Sequence, residues 1–419
     1  MPKDGDDIKW MEVAVMTVRT IISGLMASLG QSVLSMSFDL AGMLAGTLLA
    51  LYLGVFALAP WTLALFPGVL SIRGAIGGLF SGRLSTALHV GTIRASYTKN
   101  TKSFYLLLHA VITLTFVSSV VLGLAASLFG LVLWKATITD SVDMLMVMVT
   151  TMGLSLIFIP PITIGVSILS FKHGLDPDVM VYPITSTTDD VIVTVCYILV
   201  LNIFFWLTQL GRYLMVSFDL IFFSIVFYFS IKNYGEREFM KTVKEFLLTL
   251  LLVAFIVNVT GSFLNRIHEY LQVVGGKPEV YVVYPALIDT LGGVGSIVGS
   301  TATTKLALGL ISSSFSSIRK HLIEIGGAWL ASLVMFTIYS IISFLTYKIT
   351  ALDDLMLFMA QLLVTNLLAV SLIVIISFTV AIFTYRRGWD PDNFVIPIES
   401  SLADGITTIS LLIALTMIV

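Results

Sequence analysis

The chain has 419 residues, of which 57% are hydrophobic and 11% charged, with a formal net charge of −2 and a mean hydropathy of +1.01. Soluble domains carry about a quarter charged residues, so this balance excludes a water-soluble globule, and nothing in it points to a nucleic-acid partner. The first twenty residues mix acidic and basic groups without a short apolar core and cleavage site, so no cleavable signal is expected there.

Apolar runs long enough to cross a bilayer of about 30 Å recur along the whole sequence. After a tail at 1–19, the first run (20–54) is too long for a perpendicular span, so it tilts or extends along the interface; it carries Asp39. The second (66–93) opens at Pro67, where an irregular start is expected, and passes through the glycine-rich Gly74–Gly82 to Arg83. Runs at 104–133 and 144–171 follow. The fifth (181–208) holds Asp189, Asp190 and the single cysteine, Cys196, which reads as a small buried hydrophobe. A sixth run (213–231) precedes 243–270, which contains Asn258. The eighth (284–312) opens at Pro285, again with an irregular start expected, and holds Gly292–Gly299 and Lys305. The last three are 322–347, 355–384 and 395–419, the final one bearing Asp404.

An internal repeat organises these runs. Gly174–Asp190 (GLDPDVMVYPITSTTDD) and Gly388–Asp404 (GWDPDNFVIPIESSLAD) share nine of seventeen residues without a gap, where about one is expected by chance. Upstream, Pro67–Gly91 aligns with Pro285–Gly309, matching Gly74 with Gly292, Gly77 with Gly295 and Thr86 with Thr304. Asp39 and Gly42 line up with Asn258 and Gly261 after a shift of one residue.

Five crossings put the ends of a repeat on opposite faces, so two units in the same orientation need one extra crossing between them. The expected fold is an all-α polytopic membrane protein of about eleven transmembrane helices. Its first five-helix repeat covers 20–208, a linking helix 209–235, and a second, parallel repeat 236–419. An inverted repeat would need no linking helix. Lys and Arg in the connections divide fifteen against five. That places the N-terminus in the cytoplasm and the C-terminus outside. One chain then supplies its own pseudo-dimer, so it reads as a monomer in the lipid bilayer.

Carboxylates inside a membrane are costly and mark functional sites by default. Asp176, Asp178, Asp390 and Asp392 precede helix starts; they either cap them or form a cation-attracting cytoplasmic mouth. Asp190 and Asp404 lie about 21 Å further along their helices at 1.5 Å per residue. A pseudo-two-fold axis would bring these two together, and like charges at close range call for a cation between them. The five histidines are scattered and match no soft-metal spacing. Oxygen ligands point to Mg²⁺, Ca²⁺ or Mn²⁺, and a largely hydrated ion suits two aspartates with Ser186, Thr187, Ser400 and Ser401 one turn earlier. Asp39 and Asn258 are candidates for the same path. The glycine-rich segments serve either close helix packing or an axial pathway. Arg83 and Lys305 are expected at cytoplasmic helix ends or paired with carboxylates. Two other readings stay open. The aspartates could be H⁺ or Na⁺ sites for another solute, or Asp189-Asp190 and Asp353-Asp354 could be diphosphate-binding motifs of a membrane enzyme. Each acidic pair lacks the spaced third aspartate such an enzyme needs, so no enzyme is expected.

These segments resemble the MgtE superfamily, closest to its solute-carrier branch with two fused units. The carriers of the resemblance are Pro67–Thr86 (PGVLSIRGAIGGLFSGRLST) and the paired G-x-D-P…P…D segments. The resemblance implies a divalent-cation transporter or channel, with Mg²⁺ as substrate and Asp190 and Asp404 as ion-binding aspartates. The chain departs from the family at its Gly-Asn pair, which reads Gly74-Ala75 and Gly292-Gly293 here. Gly77 stands where the branch has an acidic residue, and Ser300–Thr304 lacks the arginine of its first-copy counterpart.

Overall fold

The computed structural model describes residues 22–173, 177–347, 351–387 and 391–418, without the side chains of 177–183, 248, 307 and 391–398. Eleven helices are long and apolar enough to span a membrane, and no strand occurs among the described residues. The range expected for the first repeat holds α1 (Ile22–Leu51), α2 (Pro60–Val90), α3 (Lys102–Leu133), α4 (Ile138–Lys172) and α5 (Pro177–Trp206). The range expected for the linking helix holds α6 (Thr208–Asn233). The range expected for the second repeat holds α7 (Arg237–Val273), α8 (Pro278–Ala307), α9 (Leu322–Tyr347), α10 (Leu352–Arg387) and α11 (Pro391–Met417). The protein is thus an all-α, multi-pass membrane protein.

One expectation fails at the prolines. Helices α2 and α8 are not irregular near Pro67 and Pro285; they start earlier, with Pro60 and Pro278 in the first turn, and run straight through the internal prolines. Proline suits a first turn, where its missing N–H has no intrahelical partner. An internal proline frees a carbonyl one turn upstream, which a membrane helix tolerates where neighbours cover it. Here glycines cover that region. A Cβ on Gly46 of α1 would collide with the carbonyls of Val282 and Tyr281, and one on Gly261 of α7 with the carbonyl of Ala64.

These contacts cross between the repeats. Helix α7 packs on α2 and α3, and α1 packs on α8; α1 also meets α9, where Gly327 abuts Ser28 and Gly326 abuts Leu25. Each first helix is therefore lodged against the opposite repeat, and α2 and α8 are enclosed in the middle. In their most apolar 18-residue stretches 78% and 72% of residues are buried, against 17% for α6. Helix α6 is held at the periphery through Arg212–Asp143 at 2.8 Å and Thr150–Asp219 at 2.8 Å. The crossing contacts also shift one correspondence. Gly46 and Gly261 meet aligned carbonyls, and Gly42 (against the Ala286 backbone) and Val257 (its side chain against Gly68) likewise meet aligned positions. The spatial counterpart of Asp39 therefore lies one helical turn before Asn258.

Candidate functional site

The carboxylates converge where α1, α5, α8 and α11 meet. A 3₁₀ segment, Ser37–Ala41, interrupts α1, the kind of tightening that often marks a functional position. It presents Asp39, which accepts a 3.0 Å hydrogen bond from Thr290 of α8; Thr290 in turn meets the Tyr339 hydroxyl at 2.7 Å. Asp190 of α5 and Asp404 of α11 are 4% and 5% exposed. They do not simply face one another. The carboxyl of Asp190 lies within interaction range of Asp289 of α8, and Asp404 accepts a hydrogen bond from Ser71 of α2.

Asp289 is the common neighbour. It interacts electrostatically with Asp39, Asp190 and Asp404, and one of its oxygens is buried with no hydrogen-bond partner. Sequence reasoning missed it, although it sits in the Pro285–Gly309 segment aligned with Pro67–Gly91. There Asp289 corresponds to Ser71. The second helix of each repeat thus offers a polar side chain to the last-helix aspartate of the other repeat: Asp289 to Asp190, and Ser71 to Asp404.

Four like charges in a buried volume are unstable without protons or a cation. Among the described residues no three His, Cys, Asp or Glu side chains close around a common point for direct metal ligation. The arrangement suits an ion that keeps most of its water, as Mg²⁺ does with one or two carboxylates. Positions Gly74 and Gly292 of α2 and α8 face open space, with no atom within 4 Å of a virtual Cβ.

Asn258 is buried but gives its amide to Ala254 of its own helix at 2.7 Å. Thr187 is buried and bonds the Ile184 carbonyl at 3.4 Å; Ser401 is buried, and Ser186 and Ser400 are half-buried. Asp176 and Asp390 lie outside the described residues, as do the side chains of Asp178 and Asp392. Arg83 pairs with Glu245 at 3.5 Å and donates to Thr242, and Lys305 pairs with Glu324 at 2.7 Å, as expected of cations that do not face the ion. Asp353 and Asp354 are exposed in the first turn of α10, where the helix dipole favours acids. The glycine-rich segments have a further use: Gly77 makes room for Asp189, and Gly295 and Gly299 for Glu399.

A carboxylate cluster with hydroxyl donors, enclosed by apolar helices, defines a multi-pass membrane protein with an interior site suited to cations. The chain belongs to the MgtE family of divalent cation transporters, whose family model matches residues 66–200 and 284–414, one stretch in each repeat. It is similar to solute carrier family 41 member 2 of Xenopus laevis, at 26% identity over 84% of this chain; the match spans 64% of that relative's length. No solved structure matches.

Proposed function

We propose that the protein moves Mg²⁺ across the membrane along a path between its two repeats. A hydrated ion is bound by Asp190 and Asp404 together with Asp289, and Asp39 lies beside the path. The observation that carries this reading is the position of Asp289, in electrostatic contact with all three other aspartates. Family membership and the similarity to a solute carrier support a divalent cation as the cargo. The open space beside Gly74 and Gly292 supports a water-filled approach to the carboxylates. In this reading the two repeats lie parallel about a pseudo-two-fold axis along the membrane normal. The chain works as a monomer, with its N-terminus cytoplasmic and its C-terminus outside, in keeping with the distribution of Lys and Arg.

The test is Mg²⁺ flux into liposomes containing the purified chain, beside thermal-shift titrations with Mg²⁺, Ca²⁺ and Mn²⁺. Uptake that D190N and D404N abolish is the expected result. Flux without divalent-ion stabilisation, or stabilisation unchanged in the D190N/D404N double variant, would overturn the assignment of the site.

A further inference from the structure

The two repeats bury a carboxylate in the same place and compensate it differently. In the first, Asp189 of α5 is 1% exposed, and its Oδ2 lies 2.6 Å from a virtual Cβ on Gly77. In the second, Glu399 of α11 fills the notch at the aligned Gly295, its Oε1 2.7 Å from the corresponding point. Glu399 accepts a hydrogen bond from Ser377 of α10. Asp189 instead faces Arg73 of α2, which is 1% exposed; Arg73 Nε stands 3.8 Å from Asp189 Oδ2. The residue aligned with Arg73 in the second repeat is Leu291, so only one half carries a built-in cation.

The pair is not closed. A guanidinium and a carboxylate kept only to cancel charge are commonly joined by two parallel hydrogen bonds. Here Arg73 Nε and Nη1 and both Asp189 oxygens are buried without hydrogen-bond partners among the described residues, an expensive arrangement inside a membrane. The guanidinium holds its charge at any physiological pH. It therefore stands where a mobile cation would stand beside Asp189. Asp189 in turn is within electrostatic range of Asp190, the neighbouring residue in the proposed ion site.

We propose that Arg73 is a specificity-determining residue: a tethered cation that takes the cation position at Asp189 and so limits the adjacent carboxylate cluster to a single divalent ion. This rests on the reading that Asp190, Asp289 and Asp404 bind Mg²⁺. Without the guanidinium, Asp189 becomes a second cation-binding carboxylate. With it, a second ion near Asp190 is repelled.

Isothermal titration of the full-length chain in detergent with MgCl₂ tests this, with monodispersity checked by size exclusion. Wild type and Arg73→Lys should each bind about one Mg²⁺ per chain, Arg73→Gln about two, and Arg73→Gln/Asp189→Asn about one again. If Arg73→Gln does not purify as a folded species, Asp189→Asn decides. An uncompensated guanidinium beside Asp190 should then weaken Mg²⁺ binding by about tenfold or more at unchanged stoichiometry. One ion per chain in well-folded Arg73→Gln, or unchanged affinity in Asp189→Asn, overturns the role of Arg73 while leaving the central site standing. No Mg²⁺ binding by wild type would remove the underlying reading itself.

Discussion

Asp289 of α8 and Asp190 of α5, from opposite repeats, bring their carboxyls within interaction range of each other. Two carboxylates are acceptors alone, so a close approach is compensated only by a shared proton or a cation. A divalent cation offers the same compensation with twice the charge. The corresponding contact on the other side, Ser71 with Asp404, already has a neutral donor. The two halves of the site are thus alike in placement and unequal in charge, and the Asp289 side depends more on an added cation.

Replacing Asp289 with Asn should therefore weaken Mg²⁺ binding by about tenfold or more, as D190N should, since each removes one of the three carboxylates proposed to bind the ion. The ion-free protein should unfold at the same temperature or higher, because a like-charge contact is relieved. D190N/D289N should bind little worse than either single variant, since residues acting through one contact are not additive. Thermal-shift titrations read all three. An ion-induced shift in D289N equal to that of wild type would remove Asp289 from the site.

Ser71→Asp would give the first half the acidic pair that the second half has. Its ion-free thermal midpoint should fall and its Mg²⁺-induced shift should grow. Ser71→Ala removes one hydrogen bond to a buried acidic group, worth about 1.5–3 kcal/mol, and should lower stability without enlarging that shift. Scanning calorimetry with and without MgCl₂ separates the two outcomes. A Ser71→Asp protein indifferent to Mg²⁺ would show that the two contacts do not serve one ion.

Most of the helices and the cluster's outline were legible in the sequence, because apolar run length is set directly by bilayer thickness and a buried carboxylate is conspicuous. Asp190 and Asp404 stood out because each repeat carries one. Asp289 did not, since its aligned partner is Ser71 and a search for paired acids passes over it. The crossing of α1 and α7 to the opposite repeats was also hidden. Membrane helices are apolar on several faces, so composition does not say which neighbour a face meets; Gly46 and Gly261 carry that information only once the carbonyls of Val282 and Ala64 are known. For the same reason the alignment placed Asp39 one turn away from its spatial counterpart.

That crossing makes its own prediction. Gly46→Ala and Gly261→Ala each place a methyl group against backbone, which cannot rotate away, so each should cost about 1–3 kcal/mol. Loss should follow side-chain size, Val exceeding Ala, whereas Gly74→Ala, facing open space, should leave the thermal midpoint within error. Melting curves of the purified variants in detergent measure this. Equal tolerance at all three positions would mean that the helices do not approach as closely as described.

The absence of three converging acidic, His or Cys ligands among the described residues bears on how the ion is held. An ion bound directly must trade its water for protein oxygens, and Mg²⁺ does so reluctantly. If the aspartates instead contact the hydration shell, an exchange-inert hexaammine cation, whose ligands cannot be displaced, should occupy the site through N–H donors aimed at the carboxylates. It should then stabilise the protein against heat, compete with Mg²⁺ in titrations, and lose both effects in D190N/D404N. Ca²⁺, which favours six to eight direct oxygen ligands, should stabilise less than Mg²⁺ at equal concentration. The opposite order, with strong Ca²⁺ stabilisation and an inert hexaammine that does nothing, would mean that the carboxylates close onto the bare ion, and the hydrated-ion reading would fail.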